Sequence, residues 1–245
     1  MPALSEVRAR VDDVGRAAAF FGSVFGWELH PERSGAAQEA AVPSSGTAGA
    51  ALAAQLVFTD DPHEREVRLG FTVADLGQAS GQVELLGGKI EHAGQSAVHC
   101  VDSQGTGLLL RAASSSGNGL ASRETRGVLG VIFVFAQLPE RAARFYKGFA
   151  GWDFKAIGRD RDILFAEDGP VIGIRPASKA PGGQSGAVTF HISVADSEAI
   201  IEAIRACGGQ TGQPAGAGLF TTRACSDDQG TSFSLWYQTA SESGT

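Results

Sequence analysis

A long-range internal repeat constrains this 245-residue chain more than any other feature of its sequence. Residues 16–29 read RAAAFFGSVFGWEL and residues 141–154 read RAARFYKGFAGWDF, with Arg, Ala-Ala, Phe and Gly-Trp matching at an offset of 125. Val73-Ala74-Asp75 returns as Val194-Ala195-Asp196, and Gly87-Gly88 returns as Gly208-Gly209, both at an offset of 121. Gln104-Gly105-Thr106 returns as Gln229-Gly230-Thr231, again at 125. Self-similarity at a fixed period is the signature of structural units placed in tandem. The chain is therefore read as two related halves, with boundaries at 1–112 and 127–245 and a Ser/Gly-rich linker at 113–126.

Each half divides again. Val7–Val11 alternates apolar and polar residues, the period of a half-buried strand. Asp12-Asp13 then precedes a helical stretch from Val14 to Phe25, and Gly26-Trp27 stops it, because glycine tolerates the left-handed conformation of a helix end. Val67–Val73 reads as a second strand and Leu76–Leu86 as its helix, with Gly87-Gly88 as the stop. Gln55–Phe58 reads as a strand closing the first unit, and Ala97–Val101 with Gly107–Arg111 as strands closing the second. Leu129–Phe135, Glu140–Phe149, Val188–Val194 and Glu198–Cys207 repeat the scheme, with Ser178–Gly186 as a connector. The fold class predicted is α+β, as four strand–helix–three-strand units.

Composition excludes several classes. At 43% hydrophobic and 19% charged, the chain has the apolar content of a packed protein rather than a disordered one. A net charge of −7, with no Lys/Arg cluster, speaks against nucleic acid or an anionic membrane as partner. Cys100, Cys207 and Cys225 show no paired spacing, which argues against a disulfide framework or a cysteine zinc site and suits a reducing cytosol. The longest apolar run, Val128–Ala136, is far below the roughly 20 residues of a membrane helix, and no basic-then-apolar leader opens the chain. The expectation is a soluble, cytoplasmic monomer or homodimer whose partner is a small molecule. The bias towards Arg, Ala and Gly hints at a GC-rich bacterial genome, where secondary metabolism and antibiotic pathways are common company.

Four such units, with Arg-Ala-Ala-x-Phe-[Phe/Tyr] running into Gly-Trp and a closing DDQGTSFSLW at residues 227–236, resemble the glyoxalase/bleomycin-resistance/extradiol-dioxygenase (vicinal oxygen chelate) superfamily. The resemblance covers nearly the whole chain. It implies paired units curled into two cupped mixed β-sheets with helices on the outside, each cup able to hold a ligand. It also implies a divalent metal held by His, Gln or Glu early in the first strand of a unit and at a Glu near the end of the last. The corresponding positions here carry Glu6, Arg68, Val131 and Thr189 on the first strands, and Leu109 and Ser234 on the last. Only Glu6 is an ordinary metal ligand. No metal and no other cofactor is therefore expected, with a divalent ion as the disfavoured alternative.

The alternation rule sorts side chains to the cups. In the first half Glu6, Arg8 and Arg68 share the open face, either as a salt-bridged vestige or as a site for an anionic group. In the second half Val131, Phe133 and Phe135 share it with Thr189, His191, Ser193, Ser234 and Trp236. That set is mostly apolar with a few polar groups, as small-molecule sites usually are, although the rings could equally fill a closed cup. His30, His63 and His92 read as exposed, and His99 as a structural strand residue. His191 reads either as a ligand-contacting or acid/base group or as a structural histidine. If unit one joined unit four instead of unit two, Glu6 and Arg8 would converge on His191, and the sequence leaves this pairing open.

Three functions follow. The first is a metal-free protein binding a small, largely apolar or aromatic metabolite or antibiotic. The second is a metal-independent isomerase, cyclase or lyase of natural-product metabolism, with His191 as acid/base, aided by Glu6. The third is a metal-dependent lyase or dioxygenase with displaced ligands. Whether the chain is an enzyme stays open at this level.

Overall fold

A computed structural model describes residues 1–29, 32–34, 37–42, 54–61, 67–113, 126–158, 162–167, 171–216 and 220–238. His30, His63 and most of the 113–126 linker lie outside them.

The first unit comprises β1 (Ala3–Arg10), α1 (Val14–Phe25), β2 (Glu32–Ser34), β3 (Ala37–Val42) and β4 (Gln55–Thr59). The second comprises β5 (Val67–Val73), α2 (Leu76–Leu85), β6 (Lys89–Ala93), β7 (Ala97–Val101) and β8 (Gly107–Ala112). The third runs β9 (Gly127–Ala136), α3 (Pro139–Ala150), β10 (Phe154–Ile157), β11 (Ile163–Ala166) and β12 (Ile172–Pro176). Two short 3₁₀ turns lead into the fourth: β13 (Val188–Val194), α4 (Ser197–Ala206), β14 (Gln210–Ala215), β15 (Phe220–Ser226) and β16 (Ser232–Gln238). The four-unit reading is the observed architecture.

Three helices start as their sequences dictate. The Asp13, Asp75 and Asp196 carboxylates accept from the backbone N–H groups of Arg16, Gln78 and Ala199, satisfying donors that the first helical turn leaves free. α3 begins without a side-chain cap and carries Pro139 in its first turn, where a missing N–H costs nothing. Gly26 and Gly151 end α1 and α3 with φ of 74° and 76°, a conformation that side chains disfavour.

The strands form two eight-stranded mixed sheets, ordered β2-β3-β4-β1-β5-β8-β7-β6 and β10-β11-β12-β9-β13-β16-β15-β14. In each, the first strands of two successive units pair antiparallel at the centre, β1 with β5 and β9 with β13. Unit one therefore joins unit two, and unit three joins unit four.

The helices lie on the outer faces of the cups, and those two faces meet. α1 packs against α4, and α2 against α3. Phe20, Phe21 and Phe25 of α1 bring their rings within 5.3–6.4 Å of Phe233 in the other sheet. On the far side Phe71 meets Phe149 and Trp152 at 5.3 and 5.7 Å. Each such ring contributes on the order of 1.5–3 kcal/mol by leaving water, so the halves share one continuous core.

The junction repeats about an approximate two-fold. Asp13 N donates to Gln229 Oε1 at 2.7 Å, and Leu138 N donates to Gln104 Oε1 at 2.9 Å. One pair breaks the symmetry. Tyr146 donates to Asp102 Oδ2 at 3.0 Å, whereas its counterpart 125 positions earlier is Phe21, and the buried Asp227 Oδ2 has no hydrogen-bond partner among the described residues.

Candidate functional site

The open face of the first sheet is charged and closed upon itself. Glu6 Oε2 lies 3.1 Å from Arg8 Nη1, and Glu6 Oε1 lies 3.3 Å from Arg111 Nε. Arg8 and Arg68 are each only 1% exposed. Arg68 donates to the carbonyls of Cys100 and Leu108 at 3.2 and 3.0 Å and lies 3.5 Å from Glu91. Buried charges are tolerable only when paired in this way, and these already have their partners inside the protein. Gly70 makes room for the carboxylate, because a Cβ there would stand 2.1 Å from Glu6 Cγ.

The second sheet presents a different face. Cross-strand register aligns Val131 of β9, His191 of β13 and Ser234 of β16 side by side. His191 occupies the place that Gly70 holds in the first sheet, since Gly70 pairs with Glu6 as His191 pairs with Val131. A register shift on β9, at the equivalent place to one on β1, sets this phase. Gly130 lies there, and a Cβ on it would approach Trp236 Cε3 to 3.2 Å, so its absence leaves room for the indole.

The Phe133 ring meets the His191 ring edge-on at 5.0 Å, and Thr189 Oγ1 lies 3.3 Å from His191 Nε2. His191 is 7% exposed, and its Nδ1 has no hydrogen-bond partner among the described residues. Burial first, and the Arg175 guanidinium second, hold its pKa down at about 4. The imidazole is neutral at physiological pH, able to give or accept one hydrogen bond at Nδ1 according to its tautomer.

Two cavities flank His191 along β13. One of about 660 Å³ is lined by Val128, Ser193, Phe220 and Trp236. The other, about 340 Å³, opens where the halves meet and is lined by Arg10, Asp12, Thr189, Gln229 and Thr231. Phe220 stands 43% exposed, 4.9 Å from the Trp236 ring.

The expected site residues thus separate into two groups. Phe133, Thr189, Ser234 and Trp236 come together on one face with partly exposed surface, around the buried His191. Val131 and Phe135 lie on it but are 2% and 3% exposed, forming its floor. Glu6, Arg8 and Arg68 belong to the other sheet, hydrogen-bonded within it, and Glu6 does not join His191. Arg175 and Phe220 are not among the expected site residues. The alternation Ile172-Gly173-Ile174-Arg175, with both isoleucines fully buried, was a signal for the first. An aromatic opening a strand was only a weak one for the second.

The residues present do not fit a divalent ion. The first face sets Arg8, Arg68 and Leu109 around one carboxylate that two guanidinium groups already hold. The second offers one imidazole with hydroxyls and an aliphatic side chain. Among the described residues no three His, Cys, Asp or Glu side chains gather.

Residues 6–110 match the model of a glyoxalase-like domain family. Solved structures extend the likeness over both halves. The Mn(II)-bound glyoxalase from Novosphingobium aromaticivorans superposes with a TM-score of 0.62 at 14% identity, over 97% of this chain and 83% of that one. Homoprotocatechuate 2,3-dioxygenase from Arthrobacter globiformis gives 0.64 at 12%, over 99% and 82%. The 2,3-dioxygenase LapB from Pseudomonas sp. KL28 gives 0.63 at 12%, over 96% and 91%. This chain has the vicinal oxygen chelate fold. No curated protein matches its sequence. The architecture is shared with a glyoxalase and with 2,3-dioxygenases, and at such identities the likeness carries the fold alone. Among the described residues no helix is long and apolar enough to cross a membrane.

Proposed function

We propose that this glyoxalase-like chain is a metal-free binding protein that takes a small, largely apolar or aromatic molecule, such as an antibiotic or other natural product, on the open face of its second sheet. One observation carries the reading. Where the fold's metal donors would converge, this face sets Val131, Thr189 and Ser234 beside a neutral His191, with the Phe133 and Trp236 rings on either side. A cavity of about 660 Å³ at the Trp236 end is of the size that holds drug-sized ligands.

Two measurements test it. Elemental analysis of protein purified without chelator is expected to find no stoichiometric transition metal, and one bound ion per chain refutes the metal-free part. Trp27 and Trp152 are 4% and 6% exposed, so quenching of tryptophan emission reports mainly on Trp236. Titration with a panel of aromatic natural products is expected to quench it saturably, and the Trp236→Phe variant to lose the response. A flat response across the panel refutes ligand binding here.

The unpartnered Nδ1 of His191 supports a second reading, a metal-independent isomerase, cyclase or lyase using that imidazole to move a proton. Recovery of the captured molecule decides between them. Unchanged ligand favours binding alone, and a product that the His191→Ala variant fails to form favours catalysis.

A further inference from the structure

Arg175 of β12 lies on the same open face as Phe133 and His191, being paired in register with Phe135. Its guanidinium carbon stands 5.6 Å from the centre of the Phe133 ring, which also meets the His191 ring at 5.0 Å. A glycine on the neighbouring strand position makes this possible, since a Cβ on Gly173 would reach within 2.6 Å of the Phe133 ring. The only ion pair described for Arg175 is a loose one, 3.8 Å from Asp162 Oδ2. Its Nε is buried and, like His191 Nδ1, has no hydrogen-bond partner among the described residues. Two nitrogens beside one aromatic ring thus have no hydrogen-bond partner among the described residues. Buried polar groups are rarely left so, and a bound group from outside the chain is one way to satisfy them.

We infer that the molecule bound on this face carries an acidic group, a carboxylate in the first instance, which Arg175 and His191 receive while its aromatic body runs along β13 towards Trp236. A guanidinium fork matches a carboxylate in geometry and charge. The neutral imidazole adds one hydrogen bond without competing for the charge. Thr189, level with Phe133, and Ser193, level with Trp236, are four residues apart along one strand, about 13 Å at the usual rise. That span suits two linked aromatic rings ending in a carboxylate, and exceeds a single benzoate. This inference rests on the proposed binding role and adds the chemical class of the ligand.

The test compares biphenyl-4-carboxylate with its uncharged isostere biphenyl-4-carboxamide, by calorimetric titration of the full chain. The carboxylate is expected to bind at least about ten-fold more tightly, the scale of one charge-assisted hydrogen bond. In the Arg175→Gln variant that ratio is expected to fall to near one, and in Arg175→Lys to lie between. The ratio in the wild-type chain is decisive even if a variant folds poorly. Equal binding of the two probes overturns the acid-recognition inference and leaves the binding role standing. A ratio kept in a folded Arg175→Gln variant overturns the assignment to Arg175. Binding of neither probe overturns this inference together with its ligand class, while the natural-product panel judges the binding role separately.

Discussion

Replacing Tyr146 by Phe deletes one oxygen at the junction between the halves and leaves its ring stacked on Trp152 at 5.5 Å. The oxygen lost is the donor to Asp102 Oδ2 at 3.0 Å. Asp102 is 3% exposed, and its other oxygen already accepts from the backbone N–H groups of Gln104 and Thr106 at 2.7 and 2.9 Å. A hydrogen bond to a charged group is worth about 1.5–3 kcal/mol, so Tyr146→Phe should cost that much while Asp102 is ionised. For a chain of this size the loss corresponds to a Tm lower by about 3–12 °C. The pH dependence has a defined sign. Burial raises the Asp102 pKa above the ordinary carboxylate value, with hydrogen bonds from Gln104, Thr106 and Tyr146 working against it. The folded state therefore holds that proton more tightly than the unfolded chain, and ionising Asp102 costs stability as pH rises from the ordinary carboxylate value through the folded one. Tyr146 reduces that cost by favouring the charged form. Its deletion should be more damaging at pH 7 than at pH 4, because acid protonates a larger share of the folded carboxyl and leaves a neutral bond in place of a charge-assisted one. Urea unfolding midpoints of the two proteins at both pH values check this. A loss below about 0.5 kcal/mol at pH 7, or one that does not shrink in acid, refutes the reasoning.

The approximate two-fold supplies the reverse experiment. Phe21→Tyr places a hydroxyl opposite the orphaned Asp227 Oδ2 and is expected to raise the unfolding midpoint by the equivalent of about 1 kcal/mol, with no change or a loss showing that the two sides are not equivalent there. His191 predicts an acid sensitivity of its own. Its folded pKa, about 4, lies below the ordinary 6.5, so the unfolded chain takes up a proton that the folded one refuses, and stability falls as pH drops through that window. Between pH 7 and pH 5 the wild type should lose about 2 kcal/mol that a His191→Gln variant keeps, and parallel urea midpoints for the two proteins would contradict a buried neutral imidazole.

Much of this was legible in the chain itself, because it depends on neighbours in sequence. The offset repeat specifies four like units, and strict alternation marks Val67–Val73 and Val188–Val194 as strands with the observed bounds. The apolar stretch between Asp13 and Gly26 gives α1 its observed span, since cap and stop are local chemistry. The same alternation places Phe133, Thr189, His191, Ser234 and Trp236 on one side of their strands. Set beside the superfamily's pattern, the sequence puts Arg68, Val131, Thr189, Leu109 and Ser234 at five of the six metal-donor positions and Glu6 at the sixth. What alternation does not encode is which strand lies beside which. Pairing β1 with β5 joins contacts some sixty residues apart, and only that pairing assigns Glu6 to a salt-bridged face of its own and keeps it from His191. Arg175 joins the site for the same reason, through β12 lying against β9. The orphaned nitrogens of His191 and Arg175, and the unmatched Asp227, are likewise decided by tertiary structure, because whether a polar atom finds a partner depends on every segment packed around it.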